Sequence, residues 1–288
     1  MERVSIRYVL ASDLDGTLAD GSEQARQELI DWLQARADAR LVYVTGRTPE
    51  SARRLMERAS LPAPDVLIAD VGTTVLAGPA LEPIEPIEAA IEREWPGTDV
   101  VRSRLAPMES LRLQDVDAPR RVSWWIEPVR QQRGTADDPF AARPPDDASM
   151  QADAARIARQ VGAEAVDRLA SLPVDVVVSA NVFLDVLPRG VNKGSTLLRV
   201  LNWLGAERDS CVVAGDSLND LALFTTGLRG IVVGNCEPAL AERVSGMSHI
   251  YRAREAGADG VLEGLRHHGW LDELRDAADG EGDAHDRQ

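Results

Sequence analysis

Five short apolar runs constrain what this chain can fold into more than any other feature of its sequence. They are rich in β-branched residues and most of them end at Gly, Asp or Thr: YVLAS, ARLVYVTG, PDVLIADVG, SCVVAGD and RGIVVGN. Continuous apolar runs of this length are typical of parallel strands that are buried on both faces of a sheet. Segments with helical spacing lie between them. The alternation predicts an α/β fold with an open, doubly wound parallel sheet.

Two of the intervening segments show where helices should begin and end. In PESARRLMERAS, Thr48 can cap a helix, Pro49 suits its first position, and apolar residues recur on one side. In KGSTLLRVLNWLG, leucine and valine recur at helical spacing and Gly205 can close the helix. Both segments therefore predict amphipathic helices that pack on the sheet.

The middle of the chain departs from this rhythm. From about residue 78 to residue 188 the sequence is richer in proline and charge, and RRVSWWIEP alternates. VDVVVSANVFLDVLP has the pattern of a hairpin that turns near Ala180 and Asn181. We therefore predict a smaller α/β cap domain inserted into the core. The expected bounds are 1–78 and 189–272 for the core, 79–188 for the cap, and 273–288 for a disordered acidic tail.

Composition excludes several classes of partner. The chain has 288 residues and a formal net charge of -15, which disfavours nucleic acid and anionic membranes because both bind clustered Lys and Arg. No apolar run approaches the ~18 residues that a membrane span needs, and the N-terminus lacks a signal pattern. Cys211 and Cys236 lack the spacing of a zinc site or a disulfide framework. We expect a soluble cytoplasmic protein, a monomer or weak homodimer, that binds neither nucleic acid nor membranes.

Polar residues collect where the predicted strands end, which is the edge at which open α/β sheets bind ligands. They are Asp13 and Asp15 after the first run, Thr45, Gly46 and Arg47 after the second, Asp216, Ser217, Asn219 and Asp220 after a later one, and Lys193 at a helix start. A carboxylate can attack phosphorus to form an aspartyl-phosphate if a divalent cation offsets the charge of the two anions. Mg²⁺ prefers oxygen ligands and suits Asp13 and Asp216. The sequence thus predicts Mg²⁺-dependent phosphoryl transfer.

Four motifs carry a resemblance to a known family. DLDGT, VYVTGR, Lys193 and GDSLND resemble, in this order, the motifs of the haloacid dehalogenase superfamily in its phosphatase branch. VLIADVGTTV at 66–75, RRVSWWIEP at 120–128 and FLDVLPRGVNKGSTL at 183–197 are similar to the sucrose-6-phosphate phosphatase subfamily. The resemblance implies a Rossmann-like core with an α/β cap between the second and third motifs. It also implies a small-molecule substrate, sucrose 6-phosphate or a related glycosyl phosphate, that is hydrolysed.

The resemblance further implies a role for each motif residue. Asp13 would be the nucleophile, and Asp15 the general acid that later activates water. The residues that would bind the substrate, chiefly at its phosphoryl group, are Thr45, Gly46, Arg47, Lys193 and Asn219. The residues that would serve the Mg²⁺ site are Asp13, Asp216, Asp220 and, through its main-chain carbonyl, Asp15. Asn219 and Asp220 would also orient Lys193.

The cap is expected to recognise the sugar. Trp124 and Trp125 alternate, so one should pack in the cap core while the other faces outward or toward a sugar, and core packing is the commoner role for either. Further candidates for sugar contacts are Ser179, Asn181, Gly72 and Thr73.

Other functions stay open on the sequence alone. A hexose phosphomutase would use the same nucleophile and a similar cap, and would depend on a bisphosphate activator. A phosphatase of mannosylfructose phosphate or glucosylglycerol phosphate would present the same phosphate to the same core. A non-catalytic sugar-phosphate binding module predicts a broken motif, and none of the four is broken. Taken singly, each polar residue could also be a helix cap or a turn residue.

Overall fold

The computed structural model describes residues 5–133 and 148–271, so the predicted tail lies outside the described residues. The strands in this part of the chain are β1 Tyr8–Ser12, β2 Ala39–Val44, β3 Val66–Ala69, β4 Thr74–Ala77, β5 Glu82–Pro83, β6 Leu111–Leu113, β7 Val122–Ile126, β8 Val174–Ser179, β9 Phe183–Pro188, β10 Cys211–Gly215, β11 Arg229–Val232 and β12 Ile250–Arg252. The helices are α1 Glu23–Gln34, α2 Pro49–Arg58, α3 Glu85–Glu92, α4 Thr98–Leu105, α5 Glu127–Arg133, α6 Ala148–Leu169, α7 Lys193–Leu204, α8 Leu221–Phe224, α9 Pro238–Val244 and α10 Gly257–His267. None of the described helices has the length and apolar character that crossing a membrane requires.

The larger sheet has eight strands in the order β12-β11-β10-β1-β2-β3-β4-β5. The first six are mutually parallel, which confirms the predicted doubly wound core. The strands β4 and β5 add an antiparallel edge that the sequence analysis does not anticipate. In the centre, Ser12 lies opposite Ala214 on one side and Tyr43 on the other. The carboxyl ends of β10, β1 and β2 therefore meet at one point of the sheet edge.

The central strands are mostly apolar because both faces of the larger sheet are covered. Along β1, Val9 packs into one apolar cluster and Leu10 into the cluster on the opposite face, and both are fully buried. The neighbouring β2 does the same with Val42 and Tyr43. Burial of each such side chain contributes roughly 1.5–3 kcal/mol. This packing holds the central strands, and hence their polar ends, in a rigid frame.

Two helices, α2 and α7, have the capping or terminating residues that the sequence predicts. The side chain of Thr48 accepts a hydrogen bond from the Ser51 main chain at the start of α2, and Pro49 occupies the first turn. The cap of α7 is Asn192, and Gly205 ends that helix in the left-handed region with φ of 68°. A residue without a side chain adopts this conformation at little cost. The capped start of α7 matters most, because Lys193 is its first residue.

The smaller sheet is antiparallel, with strand order β6-β7-β9-β8. One face packs against α4 and α6, and its apolar cluster includes Trp124 and Leu184. The turn between β8 and β9 lies at Ala180 and Asn181, as predicted, with φ of 48° and 57°. The main-chain N–H of Val182 donates to the carbonyl of Ser179 across this turn at 3.1 Å. Positive φ at both central residues matches the twist of the two strands.

The change from the larger to the smaller sheet comes later than predicted. The strand β5 pairs with β4, and Ile84, Ile87 and Ile91 around α3 join an apolar cluster of the larger sheet. Residues up to Glu92 therefore pack with the core, whereas we predict that the cap begins at residue 79. The reason is that a short antiparallel edge followed by an amphipathic helix extends the core sheet before the chain leaves it. The other domain bounds stay predictions.

Candidate active site

Three adjacent strand ends position the centre of the site. Asp13 follows β1, Thr45 follows β2 and Asp216 follows β10. The sheet hydrogen bonds continue past these ends, with the Asp13 N–H donating to the Ala214 carbonyl at 3.0 Å and the Thr45 N–H to the Ile68 carbonyl at 2.8 Å. The main chain that carries the predicted nucleophile is therefore as fixed as the strand before it.

A fully buried lysine lies at the centre of this edge. The Lys193 ammonium donates to Asp13 Oδ1 at 2.8 Å, to Asn219 Oδ1 at 2.8 Å and to Asp220 Oδ1 at 2.7 Å. An ammonium has three N–H donors, so all of them are used. A cation at a helix start is normally opposed by the helix dipole. Burial also opposes it, but the charges of Asp13 and Asp220 outweigh both effects and raise the pKa of Lys193. The lysine is thus a permanently charged part of the site.

Three carboxylates crowd around this one cation. Oxygens of Asp13, Asp216 and Asp220 lie within 4.8 Å of one another. Burial, with the charge of Asp220 acting in the same direction, raises the pKa of Asp13 to about 8 and that of Asp216 to about 9. These shifts mean that the ionised cluster is poorly compensated by the protein alone. The cluster can hold one further cation with oxygen ligands.

The loop after Asp13 is shaped to let Asp216 approach it. Gly16 has φ of 70°, and a Cβ atom there would collide with the carboxylate of Asp216. The hydroxyl of Thr17 donates to Asp216 Oδ1 at 3.1 Å, and the carbonyl of Gly16 accepts a bond from the Asn235 side chain at 2.7 Å. A glycine is therefore required at position 16 by both conformation and space.

Asp15 lies apart from the acidic cluster. Both of its oxygens accept bonds from the guanidinium of Arg47, from Nε at 2.7 Å and from Nη2 at 2.6 Å. Arg47 Nη1 donates to Ser51 Oγ at 2.8 Å. The Asp15 side chain is 32% exposed, whereas that of Arg47 is 8% exposed. The structure thus pairs Arg47 with the predicted general acid. The sequence predicts instead that Arg47 lies beside the phosphoryl group of the substrate.

Asp220 and Asn219 support the site from the helical turn after β10. Asp220 Oδ2 accepts bonds from the main-chain N–H groups of Asp216 and Ser217, both at 3.1 Å. Together with the bond from Lys193, this fixes the loop that carries Asp216. The Asn219 side chain accepts its bond from Lys193 and also lines the cavity above. These two residues connect the lysine to the edge of β10.

A cavity of about 560 Å³ lies over these residues. Its floor includes Asp13, Asp15, Gly46, Asp216 and Asn219, and residues 237–239 at the start of α9 form one side. Its wall on the side of the smaller sheet is formed by Gln151, Ala154, Val178, Ser179, Ala180, Asn181 and Phe183. Thr45 and Lys193 are buried beneath the floor. The volume is in the range of small-molecule sites.

The sugar-contact candidates divide between two places. Ser179 and Asn181 line the cavity, as expected for contacts with a ligand. Gly72 and Thr73 lie instead in the buried turn after β3, where the Gly72 carbonyl accepts a bond from Thr196 Oγ1 at 2.7 Å. That turn packs against the start of α7, so its residues support Lys193 from below.

The tryptophan pair also separates. Trp124 is buried in the apolar cluster of the smaller sheet, and Trp125 lies on the opposite face. The Trp125 ring packs against Phe183 with the centroids 4.9 Å apart, and Arg130 covers it. Of these three aromatic residues, Phe183 is the one that lines the cavity. Phe183 is not predictable from the sequence because its pairing with Trp125 depends on the register of β7 and β9.

Comparisons with known proteins give this geometry a context. The sequence profile of the sucrose-6F-phosphate phosphohydrolase family matches residues 6–136 and 149–269. The chain is 36% identical over 272 residues to a glucosylglycerol-phosphate synthase of Pseudomonas anguilliseptica, covering 94% of this chain and 32% of the relative. This chain thus spans about a third of that relative. It is also 30% identical to the mannosylfructose-phosphate phosphatase of Agrobacterium fabrum, over 91% of this chain and 96% of the relative.

The fold has a solved counterpart. The sucrose-phosphatase of Synechocystis sp. PCC6803, solved in complex with sucrose and phosphate, superposes with a TM-score of 0.73 at 27% identity. The match covers 92% of this chain and 99% of that one. By profile, sequence and fold, the chain belongs to the sucrose-6F-phosphate phosphohydrolase family within the haloacid dehalogenase superfamily of phosphatases.

Proposed function

We propose that this chain is a Mg²⁺-dependent phosphatase that releases phosphate from a glycosyl phosphate, sucrose 6-phosphate or a close analogue, through an aspartyl-phosphate on Asp13. The observation that carries the proposal is the buried bond of 2.8 Å between Lys193 and Asp13 Oδ1, at the floor of a cavity of sugar size. The lysine leaves the other oxygen of Asp13 as the nucleophile and holds the carboxylate toward the cavity.

Two transfers follow from this arrangement. In the first, the Asp13 oxygen forms a bond to phosphorus while the bond from phosphorus to the sugar oxygen breaks, and Asp15 gives that oxygen a proton. In the second, Asp15 takes a proton from a water molecule whose oxygen attacks phosphorus, which restores Asp13 and releases phosphate. Asp15 suits both steps because it lines the cavity and its side chain is partly exposed. Between the two steps, when Asp15 is ionised, the bonds from Arg47 hold its side chain in place.

The acidic cluster fits the proposed cofactor. Asp13 and Asp216 would hold Mg²⁺ directly, since both line the cavity and offer the oxygen ligands that this ion prefers. Asp220 would act indirectly, because its oxygens already accept bonds from Lys193, Asp216 and Ser217. When bound, the ion offsets the repulsion between a carboxylate nucleophile and a phosphate dianion. Burial and neighbouring carboxylates raise the pKa of Asp13 and of Asp216, and a bound cation would favour the ionised form of both.

The cavity wall supports a neutral glycoside as the alcohol part of the substrate. The side chains from the smaller sheet and α6 are uncharged, and the ionisable groups among the described lining residues are all acidic. A second anionic group on the substrate would find no cation among these described lining residues. The same feature argues against the bisphosphate activator that a hexose phosphomutase would need. Phe183 offers an apolar ring, and Ser179, Asn181 and Gln151 offer polar groups for hydroxyls.

A phosphate-release screen tests this proposal. The panel comprises sucrose 6-phosphate, mannosylfructose phosphate, glucosylglycerol phosphate and glucose 6-phosphate, each with Mg²⁺ and again after EDTA. We expect release from one or more of the disaccharide or glycoside phosphates, and loss of release with EDTA. Asp13→Asn serves as the matched blank. Release from glucose 6-phosphate as efficient as from every glycoside phosphate would contradict the proposed substrate class.

A further inference from the structure

One arginine of the smaller sheet contacts the main chain of the predicted phosphate-binding loop, Thr45–Gly46–Arg47. Arg121, directly before β7, is 8% exposed. Its Nη1 donates to the Gly46 carbonyl at 2.9 Å, and its Nη2 donates to Asp70 Oδ1 at 2.9 Å. The sequence separation between Arg121 and Gly46 is 75 residues. A single buried guanidinium thus joins the cap to the loop that should hold the phosphoryl group.

The turn Asp70–Val71–Gly72 holds the two neighbouring carbonyls of the same loop. The Val71 N–H donates to the Thr45 carbonyl at 3.1 Å, and the Asp70 N–H donates to the Arg47 carbonyl at 2.8 Å. All three residues of the turn have positive φ, including Val71 at 61°. This conformation is rare for a β-branched residue and costs free energy, so the surrounding contacts must impose it. The loop carbonyls are therefore held by a strained turn and by Arg121.

The peptide group between Gly46 and Arg47 links Arg121 to the predicted phosphate-binding hydroxyl of Thr45. The carbonyl of Gly46 and the N–H of Arg47 belong to one planar peptide, so fixing the first fixes the direction of the second. That N–H donates to Thr45 Oγ1 at 3.1 Å. The position of the Thr45 hydroxyl thus depends on the peptide that Arg121 holds. Thr45 Oγ1 is the group that we predict to bind a phosphoryl oxygen.

We infer that Arg121 is a positioning residue of the cap that sets the Thr45–Gly46–Arg47 loop for phosphate binding. The inference rests on the proposed function, because it takes the loop to bind the substrate's phosphoryl group. It predicts that loss of Arg121 weakens the binding of the phosphate group itself, whatever alcohol the phosphate is attached to. Substituting a residue that only contacts the sugar, or only stabilises the fold, would leave phosphate affinity unchanged.

The chain supplies a matched control next to Arg121. Arg120 is equally buried at 8% exposed, and its Nε donates to the Thr73 carbonyl at 3.0 Å. Its other donors bond Glu88 and Glu92 of α3. Arg120 thus joins the cap to the core as Arg121 does, but its partners Thr73, Glu88 and Glu92 lie outside the loop. Substituting it should cost stability without moving Thr45.

The experiment compares R121M with R120M and measures the binding of inorganic phosphate by calorimetry in Mg²⁺ buffer, with melting temperature recorded for each. We expect R121M to lower the affinity for inorganic phosphate about 10-fold. It should raise KM by the same factor for sucrose 6-phosphate and for nitrophenyl phosphate. R120M should lower the melting temperature comparably and keep phosphate affinity within twofold of wild type. R121K, which keeps one donor for the Gly46 carbonyl, should recover part of the affinity.

Two results would overturn the inference: phosphate affinity within twofold of wild type in R121M, or an equal loss in R120M. If R121M does not fold, R121K and R120K are compared in the same way, with the loss expected only in R121K. Because phosphate binding needs no turnover, the failures are distinguishable. A wild-type protein that binds phosphate but releases none from any sugar phosphate contradicts the proposed function and leaves this comparison of variants intact.

Discussion

The two sides of the cavity are built on different principles. Asp13 on the floor is joined to Lys193, and Lys193 to Asp220, by charge-assisted hydrogen bonds of 2.7–2.8 Å, and both partners are buried beneath the floor. On the wall, Ser179, Asn181 and Phe183 are uncharged, partly exposed and carried by one hairpin. The floor is held rigid by the buried strands below it. The difference teaches that the proposed chemistry would be preorganised by the core, while sugar recognition would depend on the side chains of one hairpin.

The largest expected effect tests the floor. Asp13→Asn keeps the shape of the side chain and its bond partner, but removes the attacking oxygen's charge. We expect the rate of phosphate release to fall on the order of 10⁴-fold or more for every substrate. Single-turnover assays on the folded variant check this. Release near the wild-type rate would contradict the aspartyl-phosphate mechanism and with it the assignment of chemistry to the floor.

The next effect separates the two aspartates. Asp15→Asn should lower kcat for a sugar phosphate by about 10²–10⁴, the usual contribution of a positioned general acid. The loss should shrink for nitrophenyl phosphate, whose leaving group needs no proton. Parallel steady-state assays on both substrates measure the ratio. Equal losses would mean that Asp15 serves the loop or Arg47 and takes no part in proton transfer.

A smaller and more selective effect tests the wall. Phe183→Ala removes the ring that lines the cavity, and we expect KM for the preferred glycoside phosphate to rise by about 10-fold. The value for nitrophenyl phosphate should stay within twofold, because that ester needs no sugar contact. Trp125→Ala should give a weaker version, since its ring supports Phe183 from the far side. A rise of equal size for both esters would break the division between floor and wall.

The smallest effect concerns Asp70, which accepts a hydrogen bond from Arg121 where the smaller sheet meets the core. Burial raises the pKa of Asp70 to about 6 from 3.8, although Arg121 acts in the opposite direction. Between these values the folded state binds a proton that the unfolded state has released, so wild-type stability falls as pH rises. Relative to Asp70→Asn, which cannot titrate, wild type should lose about 2 kcal/mol from pH 4 to pH 6. Urea unfolding of both proteins across this range measures it, and a constant difference would contradict the shift.

Much of the core is predictable from the sequence because its determinants are local. The apolar runs, the Thr48 cap and the Gly205 terminus act within a few residues, and each lies where it is predicted. The same holds for the turn at Ala180 and Asn181. The topology then brings the strand ends together, which places Asp13, Lys193 and Asp216 in one site. These parts of the prediction follow from short-range chemistry plus one rule of sheet geometry.

The remainder depends on partners far away in the chain. The burial of Arg120 and Arg121 depends on their acceptors, Thr73 and Gly46, which are distant in the sequence. Val71 has a positive φ that depends on tertiary contacts, and no local sequence pattern predicts it. The edge strands β4 and β5 are too short to show a period. Pairing of Arg47 with Asp15 likewise requires the fold to bring two loops within contact.

The β8–β9 hairpin has a consequence for how proteins of this design can diversify. Five of the seven described wall residues come from the segment 178–183, whereas the floor is assembled from positions between 13 and 219. A change of substrate could therefore be achieved by exchanging one short peptide, while a change of chemistry would require coordinated substitutions across the whole chain. Grafting 178–183 from a relative of different preference should transfer selectivity with the turnover machinery left in place.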